Sequence, residues 1–196
     1  MSSSTSPPEP SAGARLPEPA GEHVAAAVLA PLFIGGDAGE PHLVLTRRRA
    51  DLRRHAGEIS FPGGRRDEGD RDLADTALRE AEEEIGLPRA QVNVLGELPP
   101  VSTFVTNYLI HPYVATIPAG IAWELSPLEV EEVLELPLEA VREGRGRTRL
   151  ERRGISFQTD TYTVGENMIW GATARIIEHL LQRLEQDREG RLSLMG

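Results

Sequence analysis

The chain has 196 residues, a formal net charge of −10, 39% hydrophobic residues and no cysteine. That length suits one domain with tails, and the acidic balance argues against general nucleic-acid affinity, which needs clustered basic side chains. Without cysteine, no disulfide, thiolate metal site or Cys nucleophile is available.

Residues 1–22 are rich in Ser, Pro, Ala and Gly, a composition that buries too little apolar surface to fold alone. They lack the basic start and apolar core of a secretory signal, so a disordered tail and a cytoplasmic protein are expected. His23 to Ile34 (HVAAAVLAPLFI) is apolar and partly β-branched. Pro31 and the GGDAGEP break favour a buried strand leading into a hairpin. The run is too short to span a bilayer, and no membrane partner is expected. His42 to Thr46 is the return strand. It ends in Arg47, Arg48, Arg49, Arg53, Arg54 and His55, a basic patch on an acidic chain that suits a small anionic ligand. All basic charge besides histidine is arginine, since the chain has no lysine.

Glu58 to Phe61 reads as a short strand, and Gly63-Gly64 lets backbone approach a ligand closely. RRDEGDRD is a loop in which Asp70 or Asp72 can cap a helix over Asp72 to Ile85. With ~100° per residue and Glu80 at zero, Glu84 falls at about +40° and Glu83 at about −60°. Ala74, Ala77, Leu78, Ala81 and Ile85 form an adjacent apolar stripe, Glu82 faces solvent, and Gly86 is a left-handed stop. Three acids at this spacing repel one another. A hard divalent cation would reverse that sign, with Arg79 orienting one acid. A glutamate run by itself is more commonly a solvated face.

The remaining elements are coarser. Gln91 to Leu98 alternates as a strand, and Val101 to Ile117 is a loop followed by a strand from about Asn107. Trp123 to Leu138 carries Glu129, Glu131 and Glu132 before a strand end. Ala140 to Arg153 is an exposed hairpin or loop, and Ile155 to Val164 is a half-buried strand. Asn167 to about Gln186 is a long amphipathic helix with Trp170 near its start, and Arg188 to Gly196 a frayed end. Strands and helices mix without regular βαβ alternation, which points to an α+β fold.

Gly63-Gly64 and Arg79 to Leu87 (REAEEEIGL) resemble the box of the Nudix hydrolases: Gly, five residues, Glu, seven residues, then Arg-Glu-apolar-x-Glu-Glu-x-Gly-apolar. Asp70 stands where the isolated Glu should be, and one extra residue separates Gly64 from Arg79. Leu43 to Gly64 (LVLTRRRADLRRHAGEISFPGG) is similar to the signature before the box in the coenzyme A diphosphatase branch, matching at Leu45, Thr46, Arg48, Arg53, Gly57, Phe61, Pro62, Gly63 and Gly64. The resemblance implies a Nudix α/β/α sandwich with a mixed sheet over residues 23–187. It implies Mg²⁺ or Mn²⁺ held by Glu80, Glu83, Glu84 and the Gly63 carbonyl. Glu83 or Glu129 would be the base, with Glu97 a weaker rival, and Thr46, Arg48, Arg53 and His55 would bind substrate. Thr103 and Thr106 would lie in a substrate-facing loop or serve a plain turn.

The implied reaction is hydrolysis of the diphosphate of coenzyme A or its thioesters to phosphopantetheine and adenosine 3′,5′-bisphosphate. Two alternatives stay open: the same chemistry on ADP-ribose, NADH or another nucleoside diphosphate derivative, and a nucleotide-binding regulator without turnover. Monomer and homodimer are equally compatible with the sequence.

Overall fold

The computed structural model describes residues 23–36, 39–52, 57–103, 107–152 and 155–188. The N-terminal tail, Arg53, Arg54, His55, Thr106 and residues 189–196 lie outside them.

The apolar run becomes β1 (Val24–Gly35), the middle of the main sheet. Strand geometry sends alternate side chains to opposite faces: Ala27, Leu29 and Phe33 enter one core, Val28, Ala30 and Leu32 the other. Burial on both faces is why the strand reads as continuous rather than alternating hydrophobicity. β2 (Glu40–Arg48) returns antiparallel, Leu32 opposite Leu43. On the other flank β7 (Tyr108–Thr116) runs parallel to β1, Ala27 opposite His111.

Shorter strands complete this mixed sheet. β3 (Ile59–Ser60) and β8 (Val130–Pro137) pair with β2. β4 (Gly63–Arg65) pairs with β1, and β5 (Asn93–Glu97) and β6 (Val101–Ser102) pair with β7.

Helix α1 (Leu73–Ile85) covers one face through Ala77, Ala81 and Ile85, each fully buried. The small alanines bring the helix axis close to β1. Enlarging Ala81 to Leu would overpack this contact at a cost of about 1–3 kcal/mol. The opposite face is covered by α2 (Leu138–Glu143) and α3 (Gly171–Arg188), which bury Leu138, Val141, Ile176, Ile177 and Leu180. Each such Leu or Ile contributes about 1.5–3 kcal/mol by leaving water. The expected α/β/α sandwich is present.

In the C-terminal third, β9 (Arg145–Arg152) forms the expected hairpin with the expected strand β10 (Ile155–Val164), and the helix α2 precedes them. The chain departs from expectation after β10. Asn167 to Trp170 is a strand, β11, and not the start of a helix; Trp170 lies opposite Thr161 and Ile169 opposite Tyr162. Cross-strand pairing to β10 overrides the helical spacing, and Gly171, at φ 68°, makes the turn into α3. Trp170 is half-buried, its ring 6.5 Å from that of Phe157. No helix among the described residues is long and apolar enough to cross a membrane.

Candidate active site

The site is built on α1. Asp72 caps its first turn by accepting from the Asp75 N–H at 2.8 Å, as Asx residues commonly do. At the other end Gly86 adopts φ 67°, and the N–H groups of Gly86 and Leu87 return to the carbonyls of Glu82 and Ala81. The strap of residues 124–129 then meets the helix end: Ser126 N–H donates to the Glu84 carbonyl at 2.9 Å and Glu124 N–H to that of Ile85 at 3.2 Å. These bonds satisfy carbonyls that a helix terminus leaves without partners.

The three glutamates face different surroundings. Glu84 is buried, its side chain 5% exposed, 3.6 Å from Arg48 and accepting from Gly63 N–H at 3.3 Å. Burial pushes its carboxyl up to about 8, against the opposing pull of Arg48. Glu80 is half-buried above Gly64, where a Cβ would lie 2.4 Å from its carboxylate, so that only glycine leaves this seat open. Burial raises the Glu80 carboxyl and its Arg79 partner opposes the rise. Glu83 is 60% exposed and accepts from Arg79 at 3.0 Å.

Arg79 is fixed from below by Asp70. Its Nε and Nη2 donate to the two Asp70 oxygens at 2.8 and 3.1 Å, while Asp70 also accepts from Thr76 Oγ1 and Asp67 N–H. A guanidinium fork on a carboxylate is the strong form of such a bond. Arg79 holds the Asp70 carboxyl well below the usual range, and Asp70 raises Arg79 in turn. Nη1 then reaches both Glu80 and Glu83. Asp70 therefore keeps a place in the box despite its shorter side chain. It sits beneath the acids and orients the arginine that orients them.

Of the basic patch, three arginines fall among the described residues, and they diverge. Arg47 pairs with Glu132 and Asn167, and Arg49 with Asp51 and the Pro127 carbonyl. Arg48 turns to the acids, 3.6 Å from Glu84 and 3.6 Å from Glu129. Arg53 and His55 are outside the described residues. Thr46 is 1% exposed and donates to the Ser60 carbonyl at 3.2 Å. Its hydroxyl ties β2 to β3 in the interior, whereas the expectation placed it against substrate.

Glu129 is half-exposed at the end of the strap, and its carbonyl accepts from Arg49 N–H at 3.0 Å. It is near enough to both Glu80 and Glu84 for its charge to raise their carboxyls. Glu97 is engaged elsewhere, with His111 at 2.6 Å and Tyr113 at 3.3 Å. Thr103 accepts from Tyr108 N–H at 2.9 Å, as a turn residue does.

Among the described residues no three acids or histidines converge on a single point at ligand distance; Arg48 contacts Glu84 and Glu129, and Arg79 contacts Glu80 and Glu83. The donor set nevertheless fits a hard divalent ion. Glu84 is a buried carboxylate with one cationic neighbour and no short charged bond, Glu80 occupies a cradle open only at glycine, and all available donors are oxygens. Sequence reasoning did not see the Gly64 seat or the strap, since neither leaves a local pattern; both depend on segments distant in the chain.

An acidic helix on a mixed sheet, sandwiched by further helices and lined by arginines, defines a class of phosphohydrolase. The NUDIX domain family model matches residues 23–154. The chain is 40% identical over 162 residues to a protein described as the uncharacterized Nudix hydrolase NudL of Photorhabdus laumondii, covering 82% of this chain and 84% of that one. It is 42% identical over 161 residues to its namesake in Yersinia pestis, covering 81% and 79%. The chain belongs to the Nudix hydrolases, enzymes that generally use divalent cations and act on nucleoside diphosphate derivatives.

Solved structures agree on the fold. A MutT/nudix family protein from Enterococcus faecalis aligns with TM-score 0.56 and 14% identity over 88% of this chain and 66% of that one. The NUDIX domain of Shewanella oneidensis NrtR, complexed with ADP ribose, aligns with TM-score 0.55 and 16% identity over 84% and 90%.

Proposed function

We propose that the protein hydrolyses the diphosphate of coenzyme A or its thioesters, using Mg²⁺ or Mn²⁺. The observation that carries this reading is the position of Arg48. The segment whose pattern resembles the coenzyme A branch delivers this arginine to within 3.6 Å of both Glu84 and Glu129. Glu80, Glu84 and the Gly63 backbone would hold the ion, with Glu83 completing the set from the rim. When bound, the ion neutralises charge on the diphosphate oxygens and lowers the barrier to attack at phosphorus.

Arg48 then supplies a planar fork for a phosphate oxygen, with Arg53 and His55 as further contacts from the adjoining segment. Glu129 accepts the proton of the attacking water. A new P–O bond forms, the bridging P–O bond breaks, and the two phosphomonoesters, phosphopantetheine and adenosine 3′,5′-bisphosphate, depart. Glu129 suits this role better than Glu83 because it is half-exposed beside the buried acids, whereas Glu83 is bonded to Arg79.

The test is incubation of purified protein with Mg²⁺ or Mn²⁺ and, separately, coenzyme A, an acyl thioester, ADP-ribose and NADH, with products read by mass spectrometry. Phosphopantetheine at a kcat/KM at least tenfold above the other rates is expected. Preferential cleavage of ADP-ribose or NADH overturns the substrate. Binding without cleavage of any of them, unaltered by Glu84→Gln, points to a regulator.

A further inference from the structure

Arg47 is the neighbour of Arg48 but leaves the strand on the opposite face, as successive strand residues do. It donates through Nε to Glu132 at 3.2 Å and through Nη2 to the Asn167 side-chain oxygen. Glu132 belongs to β8 of the main sheet and Asn167 to β11 of the second sheet. One guanidinium therefore joins the two sheets at the point where β2 turns toward the acids.

The ladder between β2 and β8 breaks at the same point. Arg47 is opposite Glu132, but Arg48 is opposite Val130, leaving Glu131 as the extra residue of a bulge. Bulges bend a strand and re-aim the side chains beyond them. Here the residues beyond the bulge are Arg48 on one strand and Val130, followed outward by Glu129, on the other. Backbone bonds from Arg48 N–H to Glu58, Gly57 N–H to Arg48 and Arg49 N–H to Glu129 continue past the bulge. None of these grips β8 at the bulge through a side chain, whereas Arg47 does.

We infer that Arg47 is a positioning residue, whose fork across Glu132 and Asn167 pins the β8 bulge and so fixes the direction in which Arg48 enters the site. Its effect is transmitted through Arg48, and the inference rests on the reading of Arg48 as a substrate contact. Lysine would not replace it, since an ammonium has no planar fork to span two acceptors on different sheets. An exposed ion pair alone contributes little to stability, so the contribution lies in geometry.

The experiment is a set of double-mutant cycles in the full chain. They are assayed with Mn²⁺ and whichever of coenzyme A and ADP-ribose the wild type cleaves faster. Arg47→Met should raise KM about tenfold with kcat held within about twofold, the signature of lost substrate binding. Asn167→Leu should reproduce part of that rise, about threefold, and Asn167→Asp, which keeps an acceptor, should restore the wild-type KM. In an Arg48→Ala background, both Arg47→Met and Asn167→Leu should have no further effect.

Equal fractional losses in that background, or unchanged KM for both single variants, overturn the inference. If Arg47→Met does not fold, the Asn167→Leu cycle decides alone. A KM insensitive to Arg48→Ala removes both the substrate role of Arg48 and the positioning role of Arg47. A response to Arg48→Ala that Arg47→Met does not share removes only the latter. The substrate itself is judged separately, by the products.

Discussion

The two arginines that meet the acids of α1 do opposite things. Arg79 is saturated: Asp70 takes two of its donors, and Glu80, Glu83 and the Arg65 carbonyl take the rest. Arg48 stands 3.6 Å from each of two carboxylates, beyond an ordinary hydrogen bond. The first belongs to a framework held by short charge-assisted bonds, the second to a working edge where a ligand can compete for the same donors. A saturated cation positions its neighbours, and an under-bonded one keeps the donors that the proposed substrate contact requires.

That contrast breaks first at Glu84. Changing it to Gln removes an oxygen that would take up charge on holding the ion, without changing shape, so steady-state kinetics should show kcat falling by about 10³. Thermal melting should hold or rise, since a buried, weakly paired carboxylate is costly to keep. A destabilised but active variant would put Glu84 in the framework instead.

Asp70→Asn probes the other side, and it should cost about 3 kcal/mol in denaturant unfolding because Arg79 loses a buried partner. The pH dependence has a definite sign. Asp70 has its folded pKa depressed below the ordinary value of about 4, so its stabilisation is fully present above that value. It is lost as pH falls below about 4 toward the folded pKa. The stability difference between wild type and Asp70→Asn should therefore be largest near neutrality and shrink on acidification.

Gly64→Ala sharpens the comparison from the acid side. Its new Cβ meets the flexible end of Glu80 at 2.4 Å rather than backbone, so the melting temperature should change little. Displacing the carboxylate should weaken Mn²⁺ binding, read by titration calorimetry, by about 10- to 100-fold. Thr46→Val is the smallest change: about 1 kcal/mol lost with the Ser60 bond and KM unaltered. A raised KM there would make Thr46 a substrate contact.

Much of the fold was legible because local pattern and tertiary role agreed. The apolar run of β1, the capped acidic helix and its glycine stop are each visible in a short window. Legibility failed where a distant partner decided the outcome. Asn167 to Trp170 has helical spacing, yet pairing with β10 makes it a strand. Thr46 sits within a motif-like stretch, yet its hydroxyl is spent on Ser60. Asp70, off-pattern by one methylene, is nevertheless placed under Arg79 by the turn that Asp67 and Thr76 complete.

The order of residues alone determined the class of chemistry through the resemblance of Gly63-Gly64 and Arg79 to Leu87 to the Nudix box, since a glutamate run without that context is more commonly a solvated face. Which of those acids is buried, which arginine meets them and which distant glutamate joins them were decided by the packing of β2, β8 and the strap against α1. Burial and charge proximity depend on segments brought together through space, and no periodicity along the chain encodes them.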